Sequence, residues 1–176
     1  TVLEGYTTTF YAELADTNHK SYELLSSWRA GDTEFCVDLP PDDSGRSTCE
    51  IRVFEGMEEI RVQVSDPSND TSQTGIYVEV IPNQPPSAEI ITPNEDSLYY
   101  VDSKVDFLGK IGDAEDALED LFFTWSSDVM GDLNFVNTMD SEGYLSGGIF
   151  LEEGSHMISL LVEDVGLKSG MASISE

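Results

Sequence analysis

The chain has 176 residues, of which 39% are hydrophobic and 10% aromatic, enough apolar side chain for one large or two small globular cores. Its 35 Asp and Glu against 8 Lys and Arg give a formal net charge of −27, which excludes nucleic acid and disfavours an anionic membrane surface, because both need a basic face. Such an acidic excess repels itself unless salt or bound cations screen it, which indicates saline surroundings or divalent metal.

An internal repeat divides the sequence into two similar copies. The matching segments are 14–16 with 111–113, 24–28 with 121–125, 55–56 with 153–154, and 60–66 with 158–164. Their offset of roughly 97 positions is the length of one small domain. Four anchors in the same order indicate a duplicated fold rather than one large domain.

Each copy is predicted to be a series of short strands. Apolar and polar residues alternate at period two between clusters of Gly, Pro, Asn and Asp, the pattern of an all-β sandwich. In the first copy the inward positions are Phe10, Ala12, Leu14, Leu24, Ser26, Trp28, Ile60, Val62, Val64, Ile76, Val78 and Val80. In the second copy they are Val105, Phe107, Gly109, Ile111, Leu121, Phe123, Trp125, Ile158, Leu160 and Val162. Both tryptophans are therefore expected to plug a core.

The two cysteines, Cys36 and Cys49, flank the turn-rich segment 40–45. Two strands joined by that turn would bring the thiols into register for a local disulfide, worth roughly 3 kcal/mol for a loop of about 15 residues. A disulfide would indicate an oxidising, extracellular compartment. The alternative is a pair of free thiols.

A glycosylation sequon, Asn69-Asp70-Thr71, lies in a predicted surface loop. Such tripeptides also occur by chance. A glycan on Asn69 would fit a secreted protein.

A proline-rich segment, Pro82-Asn83-Gln84-Pro85-Pro86, separates the copies and places the domains at residues 1–82 and 83–176. Its prolines hold the backbone extended, so the linker is expected to be semi-rigid. The second copy has an opening strand near residues 88–92, whereas the first starts at its equivalent of the next strand. Either the first domain is truncated, or another chain supplies the missing strand.

The second copy also carries motifs of a known family. They are Asn83-Gln84-Pro85-Pro86, residues 90–93, Asp113-Ala114-Glu115-Asp116, Trp125-Ser126-Ser127-Asp128 with Gly131, Gly154-Ser155-His156, and Leu161-Val162-Glu163-Asp164. Together they resemble PKD-like and related immunoglobulin-like repeats of archaeal and bacterial surface proteins, over residues 83–176 directly and over 5–82 through the internal repeat. The resemblance implies two tandem immunoglobulin-like (PKD-like) Greek-key β-sandwiches. Such repeats form strings in stalks, adhesins or accessory modules of enzymes.

Acidic loops of the second copy form a candidate calcium site. In an immunoglobulin-like sandwich, the loop after the second strand and the loop before the last strand emerge at the end where the chain enters. The side chains expected to converge there are Asp113, Glu115, Asp116, Asp164 and Asn83. Ca²⁺ takes about 6 to 8 oxygen ligands, and extracellular modules bind it at roughly 0.1 to 1 mM. The alternative is a set of solvated turn acids. Asp16, Asn18, Asp66 and Asp70 are a counterpart in the first copy.

No sequence pattern indicates catalysis, because neither His19 nor His156 belongs to a nucleophile-elbow, zinc-protease or Cys–His pattern. No apolar run is long enough for membrane insertion. We therefore expect an extracellular, cell-surface spacer, rigidified by calcium and assembled with other subunits or neighbouring domains by strand addition into a homo-oligomer or filament. The alternatives are a carbohydrate- or protein-binding module, suggested by Tyr99, Tyr100 and Tyr144, and an accessory domain of a secreted hydrolase.

Overall fold

The computed structural model describes residues 1–95 and 97–175, and its regular structure is almost entirely β-strand. Two short 3₁₀ turns, Ser21–Glu23 and Leu118–Asp120, are the helical elements of these residues. No helix in this part of the chain has the length and apolar character to cross a membrane. The prediction of an all-β fold is confirmed.

The chain divides into two compact units, Thr1–Pro82 and Asn83–Glu176, which we call unit 1 and unit 2. The strands of unit 1 are β1 (Val2–Leu3), β2 (Thr7–Glu13), β3 (Leu25–Ala30), β4 (Thr33–Leu39), β5 (Arg46–Arg52), β6 (Glu59–Ser65), β7 (Thr71–Tyr77) and β8 (Val80–Ile81). They form a sheet of order β4-β3-β6-β7, an antiparallel pair β2-β5 and a parallel pair β1-β8.

Unit 2 has two four-stranded sheets. Its strands are β9 (Ser87–Thr92), β10 (Val105–Gly112), β11 (Phe122–Ser127), β12 (Gly131–Asp132), β13 (Thr138–Met139), β14 (Tyr144–Ile149), β15 (Met157–Glu163) and β16 (Ser169–Ser175). The sheet orders are β13-β14-β10-β9 and β12-β11-β15-β16. All strand pairings among the described residues of unit 2 are antiparallel.

The internal repeat corresponds to equivalent strands in the two units. By the offset of the anchors, β2, β3 and β6 of unit 1 correspond to β10, β11 and β15 of unit 2, and a 3₁₀ turn precedes both β3 and β11. The last strands also correspond, because β7 pairs with β6 as β16 pairs with β15. No strand of unit 1 pairs with β2 in the way that β9 pairs with β10.

Each unit has its own apolar core, and a tryptophan lies in each. Trp28 is 3% exposed and Trp125 is 2% exposed. The core of unit 1 contains Phe10, Trp28, Ala30, Cys49, Ile51, Val53, Met57, Ile60 and Val62. The core of unit 2 contains Val105, Phe107, Ile111, Leu121, Trp125, Leu133, Leu145, Ile158, Leu160 and Val162. The inward positions predicted from the alternation are buried or partly buried, with one exception.

That exception is Ile76. The alternation predicts a buried side chain there, and this prediction is wrong. Ile76 lies opposite Ile60 on β7, but its side chain is 56% exposed. All seven residues of β7 are exposed. The reason is the missing neighbour: no strand of unit 1 covers this part of β7, so a residue on the inner face still contacts solvent.

The two tryptophans are accommodated differently. The Trp28 indole N–H donates to Ser47 Oγ at 3.0 Å, Ser47 and Ser26 hydroxyls are 2.6 Å apart, and Ser26 Oγ donates to the Leu39 carbonyl at 3.1 Å. In unit 2 the position that faces Trp125 is Gly109, where an added Cβ would lie 2.8 Å from the indole ring. Gly109 is therefore required by the close approach of the tryptophan.

Candidate functional site

Unit 1 has a groove between the free edges of its two sheets. Within the described residues, β2 pairs with β5 only and β7 pairs with β6 only. The groove has a volume of about 350 Å³. Its walls are Thr9, Phe10, Tyr11 and Ala12 of β2 and Thr74, Gly75 and Ile76 of β7, and its floor is Trp28, Ile60 and Val62. We call this the β2–β7 groove.

In unit 2 the equivalent place is filled by β9. This strand pairs antiparallel with β10, so that Ile90 lies opposite Gly109 and Ala88 opposite Ile111. Ala88 and Ile90 pack against the core of unit 2. β9 also contacts β16, the counterpart of β7. In unit 2, β9 therefore occupies the position that is open as the β2–β7 groove in unit 1.

An acidic cluster continues the groove beyond the carboxyl end of β2. A hollow of about 370 Å³ there is lined by Asp16, Asp66 and Asp70, together with Glu13 and apolar residues. His19 Nδ1 lies 3.3 Å from Asp16 Oδ1 and 3.3 Å from Asp66 Oδ2. Across the described ranges, Asp16, His19 and Asp66 form the one group whose potential ligand atoms all lie within 4.8 Å of one another.

Hydrogen bonds order the loop that carries Asp16. Asp16 Oδ1 accepts from the backbone N–H groups of Asn18 at 2.6 Å and His19 at 2.8 Å. The Asn18 bond, followed by the His19 bond, lowers the pKa of the Asp16 carboxyl below its ordinary value, because both favour the charged form. Asp16 is thus a turn-capping carboxylate that faces the histidine, and this explains its geometry without a ligand.

The residues predicted to bind calcium in unit 2 lie in neighbouring loops. Asp113 Oδ1 accepts from the Glu115 and Asp116 amides at 2.7 and 2.8 Å, and Asp116 Oδ2 accepts from the Val165 amide at 3.0 Å. The loop after β10 therefore contacts the loop before β16, as expected. The Asp113 Oδ2 atom is buried and has no hydrogen-bond partner within the described part of the chain.

Asp164 and Asn83 are joined directly. Asn83 Nδ2 donates to Asp164 Oδ2 at 2.7 Å, and Asp164 Oδ1 accepts from the Lys168 amide at 2.7 Å. Both residues are 1% exposed. An added Cβ at Gly166 would clash with the Asn83 amide, so a larger residue there would force that side chain to move. Calcium binding by Asp113, Glu115, Asp116, Asp164 and Asn83 stays a prediction.

The cysteines form the disulfide that the sequence suggested, but not within a hairpin. Cys36 on β4 and Cys49 on β5 are bonded, with their Cα atoms 6.1 Å apart. β4 pairs with β3 and β5 pairs with β2, so the two strands belong to different sheets. The disulfide therefore links the two sheets of unit 1 across the sandwich, and the predicted register of a local hairpin is wrong.

Asn69 lies in the turn between β6 and β7, with its side chain exposed and its φ at 67°. Asparagine is one of the few residues other than glycine that adopts this left-handed conformation readily. The Asp66 carboxylate closes the turn by accepting from the amides of Ser68 and Asp70. Glycosylation of Asn69 stays a prediction.

His156 has a structural environment. It is buried just before β15, with Nε2 2.9 Å from the Glu152 carbonyl and Nδ1 2.8 Å from Ser127 Oγ. Because a carbonyl only accepts, Nε2 donates to Glu152, and Nδ1 shares a hydrogen bond with the Ser127 hydroxyl. Both ring nitrogens are thus engaged in holding the loop before β15 to the end of β11.

The exposed tyrosines do not form one cluster. Tyr100 and its neighbour Leu98 are 81% and 97% exposed in the loop between β9 and β10. Residues 97–101 and 151–156, with Val105, line a hollow of about 480 Å³. Tyr144 is instead on β14, where the Lys110 ammonium lies 4.7 Å from its ring centre.

Comparison with known proteins gives a likeness among solved structures alone. No family model and no curated protein matches the chain. The fibronectin(III)-like modules of Clostridium thermocellum CbhA are 15% identical, over 98% of this chain and 85% of that chain, with a TM-score of 0.47. Titin domains Z1Z2 in complex with telethonin are 15% identical, over 99% and 89%, with a TM-score of 0.38. Murine CEACAM1b is 12% identical, over 98% and 92%, with a TM-score of 0.38. These identities and TM-scores are too low to assign a family. The classification of the protein as an all-β sandwich therefore rests on the sheets of the structure.

Proposed function

We propose that the chain is two tandem immunoglobulin-like, PKD-like Greek-key domains, residues 1–82 and 83–176, joined by the proline-rich segment 82–86. They serve as non-catalytic structural or adhesive spacers of an extracellular surface or filament protein. The observation that carries the proposal is the Cys36–Cys49 disulfide between the sheets of unit 1. Disulfides persist in oxidising compartments, and a bond across a sandwich fastens its two layers.

The environments of the two histidines support a non-catalytic function. His156 is buried with both nitrogens hydrogen-bonded. Within the described residues, the His19 ring lies 3.3 Å from the carboxylates of Asp16 and Asp66. A catalytic base must instead reach a nucleophile or a substrate proton.

Association with other subunits of a surface assembly, as a homo-oligomer or filament, completes the proposed function. The free edges of β2 and β7 favour assembly by strand addition, since an edge strand presents unpaired backbone groups to another chain. Calcium held by the acidic loops of unit 2 would stiffen the spacer.

Single-molecule pulling of the purified chain tests the spacer function. We expect two separate cooperative unfolding events. In the oxidised protein the event from unit 1 releases less chain, because Cys36 and Cys49 are 13 residues apart and those residues stay locked. At about 3.5 Å per extended residue, reduction adds roughly 45 Å to that event.

The double variant Cys36→Ala/Cys49→Ala is the control, and it should give the longer event without reductant. Gradual extension without discrete events would contradict the spacer function, since such units could not transmit load.

A second candidate function, a protein- or carbohydrate-binding module, is favoured by the exposed loop of unit 2. Leu98, Tyr100 and Val101 are 97%, 81% and 61% exposed beside a hollow, and exposed apolar patches often mark binding sites. A glycan array with the wild type and Tyr100→Ser tests it. Binding that the substitution abolishes would favour this function over a passive spacer.

A further inference from the structure

We propose that Asp16, His19 and Asp66 of unit 1 bind a divalent transition-metal cation of the kind that takes both nitrogen and oxygen ligands, such as Zn²⁺. These three residues, which we call the His19 site, offer one imidazole nitrogen and two carboxylate oxygens. The His19 site is separate from the calcium proposed for unit 2, both in its residues and in the cation that it selects.

Three potential ligand atoms converge at the His19 site. His19 Nδ1 lies 3.3 Å from Asp16 Oδ1 and 3.3 Å from Asp66 Oδ2. Both separations are beyond the usual range of an N–H···O hydrogen bond, about 2.7 to 3.2 Å. Ligands at about 2.0 to 2.1 Å from a tetrahedral cation are instead roughly 3.3 to 3.4 Å apart. The spacing therefore fits a cation held between the ring and the two carboxylates.

Asp66 has an oxygen atom that turn formation does not explain. Its side chain is 8% exposed. Oδ1 closes the turn after β6 by accepting from the amides of Ser68 and Asp70, both at 2.8 Å. Oδ2 accepts no hydrogen bond from the residues that the structure describes, and it faces His19 Nδ1. A carboxylate oxygen shielded from water costs free energy unless a charge balances it, and a bound cation supplies that charge.

A proton on the ring satisfies the two carboxylates less completely than a cation does. Nδ1 carries at most one proton, and its hydrogen bond goes to Asp16. A cation can bind both carboxylates at once. The amides of Asn18 and His19, in that order, lower the pKa of the Asp16 carboxyl. These bonds hold Asp16 in the charged form that metal binding requires.

The ligands come from two loops of unit 1. Asp16 and His19 lie between β2 and β3, whereas Asp66 lies between β6 and β7. A cation at the His19 site therefore joins two loops that are distant in sequence. It adds a second cross-link to unit 1, whose disulfide joins β4 to β5.

The internal repeat provides a comparison with unit 2. Its offset of roughly 97 positions aligns the three ligands of unit 1 with three acidic residues. The aligned pairs are Asp16 with Asp113, His19 with Asp116, and Asp66 with Asp164. Carboxylates are the oxygen ligands that Ca²⁺ prefers, whereas an imidazole together with carboxylates suits Zn²⁺. The exchange of one carboxylate for an imidazole therefore gives the two units different cation preferences.

The acidity of the chain does not by itself account for this preference. A net charge of −27 attracts any cation, and that attraction does not distinguish one divalent ion from another. The His19 ring distinguishes them, because Ca²⁺ and Mg²⁺ take oxygen ligands. Cys36 and Cys49 are joined in the disulfide, so neither supplies a competing thiolate in the oxidised protein.

Imidazole ¹H–¹⁵N spectra test the proposal, because His19 and His156 are the two histidines of the sequence. Chelator-treated, oxidised protein is titrated with Zn²⁺ at neutral pH and fixed ionic strength, with Ca²⁺ in excess. We expect the Nδ1 signal of His19 to shift and the signals of His156, whose ring nitrogens are both hydrogen-bonded, to stay unchanged. In calorimetry, Zn²⁺ should bind at least tenfold more tightly than Ca²⁺ or Mg²⁺.

Two substitutions of His19 remove its nitrogen ligand. His19→Gln leaves a neutral side chain, and His19→Asp gives unit 1 the three carboxylates of unit 2. The His19 side chain is partly exposed, so unit 1 should keep its fold, which its amide spectrum checks. We expect Zn²⁺ affinity to fall at least tenfold in both variants, and His19→Asp to lose the preference for Zn²⁺ over Ca²⁺. Asp43→Asn, which changes an exposed acid outside the site, is the control and should change affinity less than twofold.

Three results would overturn the inference. They are an unchanged His19 signal at millimolar Zn²⁺, equal Zn²⁺ affinity of His19→Gln and the wild type, and equal affinities for Zn²⁺, Ca²⁺ and Mg²⁺. Any of them would mean that the imidazole does not bind the cation. Calcium binding by unit 2 is measured on the signals of unit 2, so each metal site can fail without the other.

Discussion

Ile76 and Ile174 occupy equivalent positions on the last strands of the two units, yet their exposures differ. Ile76 faces Ile60 across the sheet and Ile174 faces Ile158. Ile76 is 56% exposed, whereas Ile174 is partly buried against the core of unit 2. The covering strand β9, rather than the residue or its strand, makes the difference.

Alanine substitutions at these two positions should therefore have unequal effects. Ile174→Ala is expected to lower the free energy of unfolding of unit 2 by about 1 to 2 kcal/mol, since it removes partly buried methylenes. Ile76→Ala should change unit 1 by less than about 0.5 kcal/mol, as at other exposed sites. Urea unfolding followed by NMR signals of each unit measures both values. Equal losses would show that the groove is closed in solution.

A chain of hydrogen bonds runs from the Trp28 indole through the hydroxyls of Ser47 and Ser26 to the Leu39 carbonyl. We therefore expect Ser47→Ala to lower the stability of unit 1. The substitution leaves the buried Trp28 N–H without its acceptor and removes the partner of Ser26. We expect a loss of about 1 to 3 kcal/mol in unit 1, because a buried donor without a partner carries its full desolvation cost. Ser159→Ala, which breaks an exposed serine pair with Ser173, is the control. If both variants lose the same amount in urea unfolding, the buried chain does not stabilise the core.

The sequence predicted those features of the fold that depend on a single strand, and it did not predict those that depend on neighbouring strands. Alternation along one strand predicted the burial of Phe107 or Val62, because the side-chain period is a property of that strand. The burial of Ile76 depends on a neighbouring strand, and the alternation of residues along β7 does not indicate whether that strand is present. The cysteine pair was predicted from its spacing, but turn residues between β4 and β5 do not specify which sheet each strand joins.

The candidate site follows the same rule. The contact between the Asp116 and Val165 loops was predicted from the general topology of such sandwiches, which fixes the end at which loops emerge. The approach of His19 to Asp66 was missed. His19 lies in a loop without periodicity, and its only signal was the repeat, which aligns Asp16 with Asp113 and Asp66 with Asp164.

The pH dependence of the Asp16 loop follows from its hydrogen bonds. The pKa of the Asp16 carboxyl is lowered in the folded state by its bonds from Asn18 and His19. A lowered pKa stabilises the fold above the unfolded pKa of about 3.9, and this stabilisation is lost as pH falls through the lower folded value. Carboxyl NMR should therefore show Asp16 titrating below pH 3.9, and Asp16→Asn should flatten the acid limb of unit 1 stability. A midpoint at or above pH 3.9 would contradict the hydrogen bonds that Asp16 accepts from Asn18 and His19.

Calcium binding in unit 2 is tested by thermal and urea unfolding with Ca²⁺ or Mg²⁺ at fixed ionic strength. With a dissociation constant near 1 mM, 10 mM Ca²⁺ should stabilise unit 2 by about 1.4 kcal/mol. Glu115→Gln should reduce the effect, while Glu119→Gln, an exposed acid outside the predicted ligand set, should not. An equal response to Mg²⁺ would mean that these loops are only solvated charge.

Unit 1 is a sandwich with one strand position open, and unit 2 fills the same position with β9. β1 runs parallel to β8, so a segment placed before Thr1 is directed along β7 towards the groove. The most direct measurement is the free energy of unfolding of unit 1 with the β9 sequence grafted there through a short Gly-Ser linker. The control graft replaces its alanine and first isoleucine with serine. We expect a gain of at least about 1 kcal/mol for the apolar graft alone, since two side chains become buried. Equal stability of the two grafts would show that unit 1 has no open strand position.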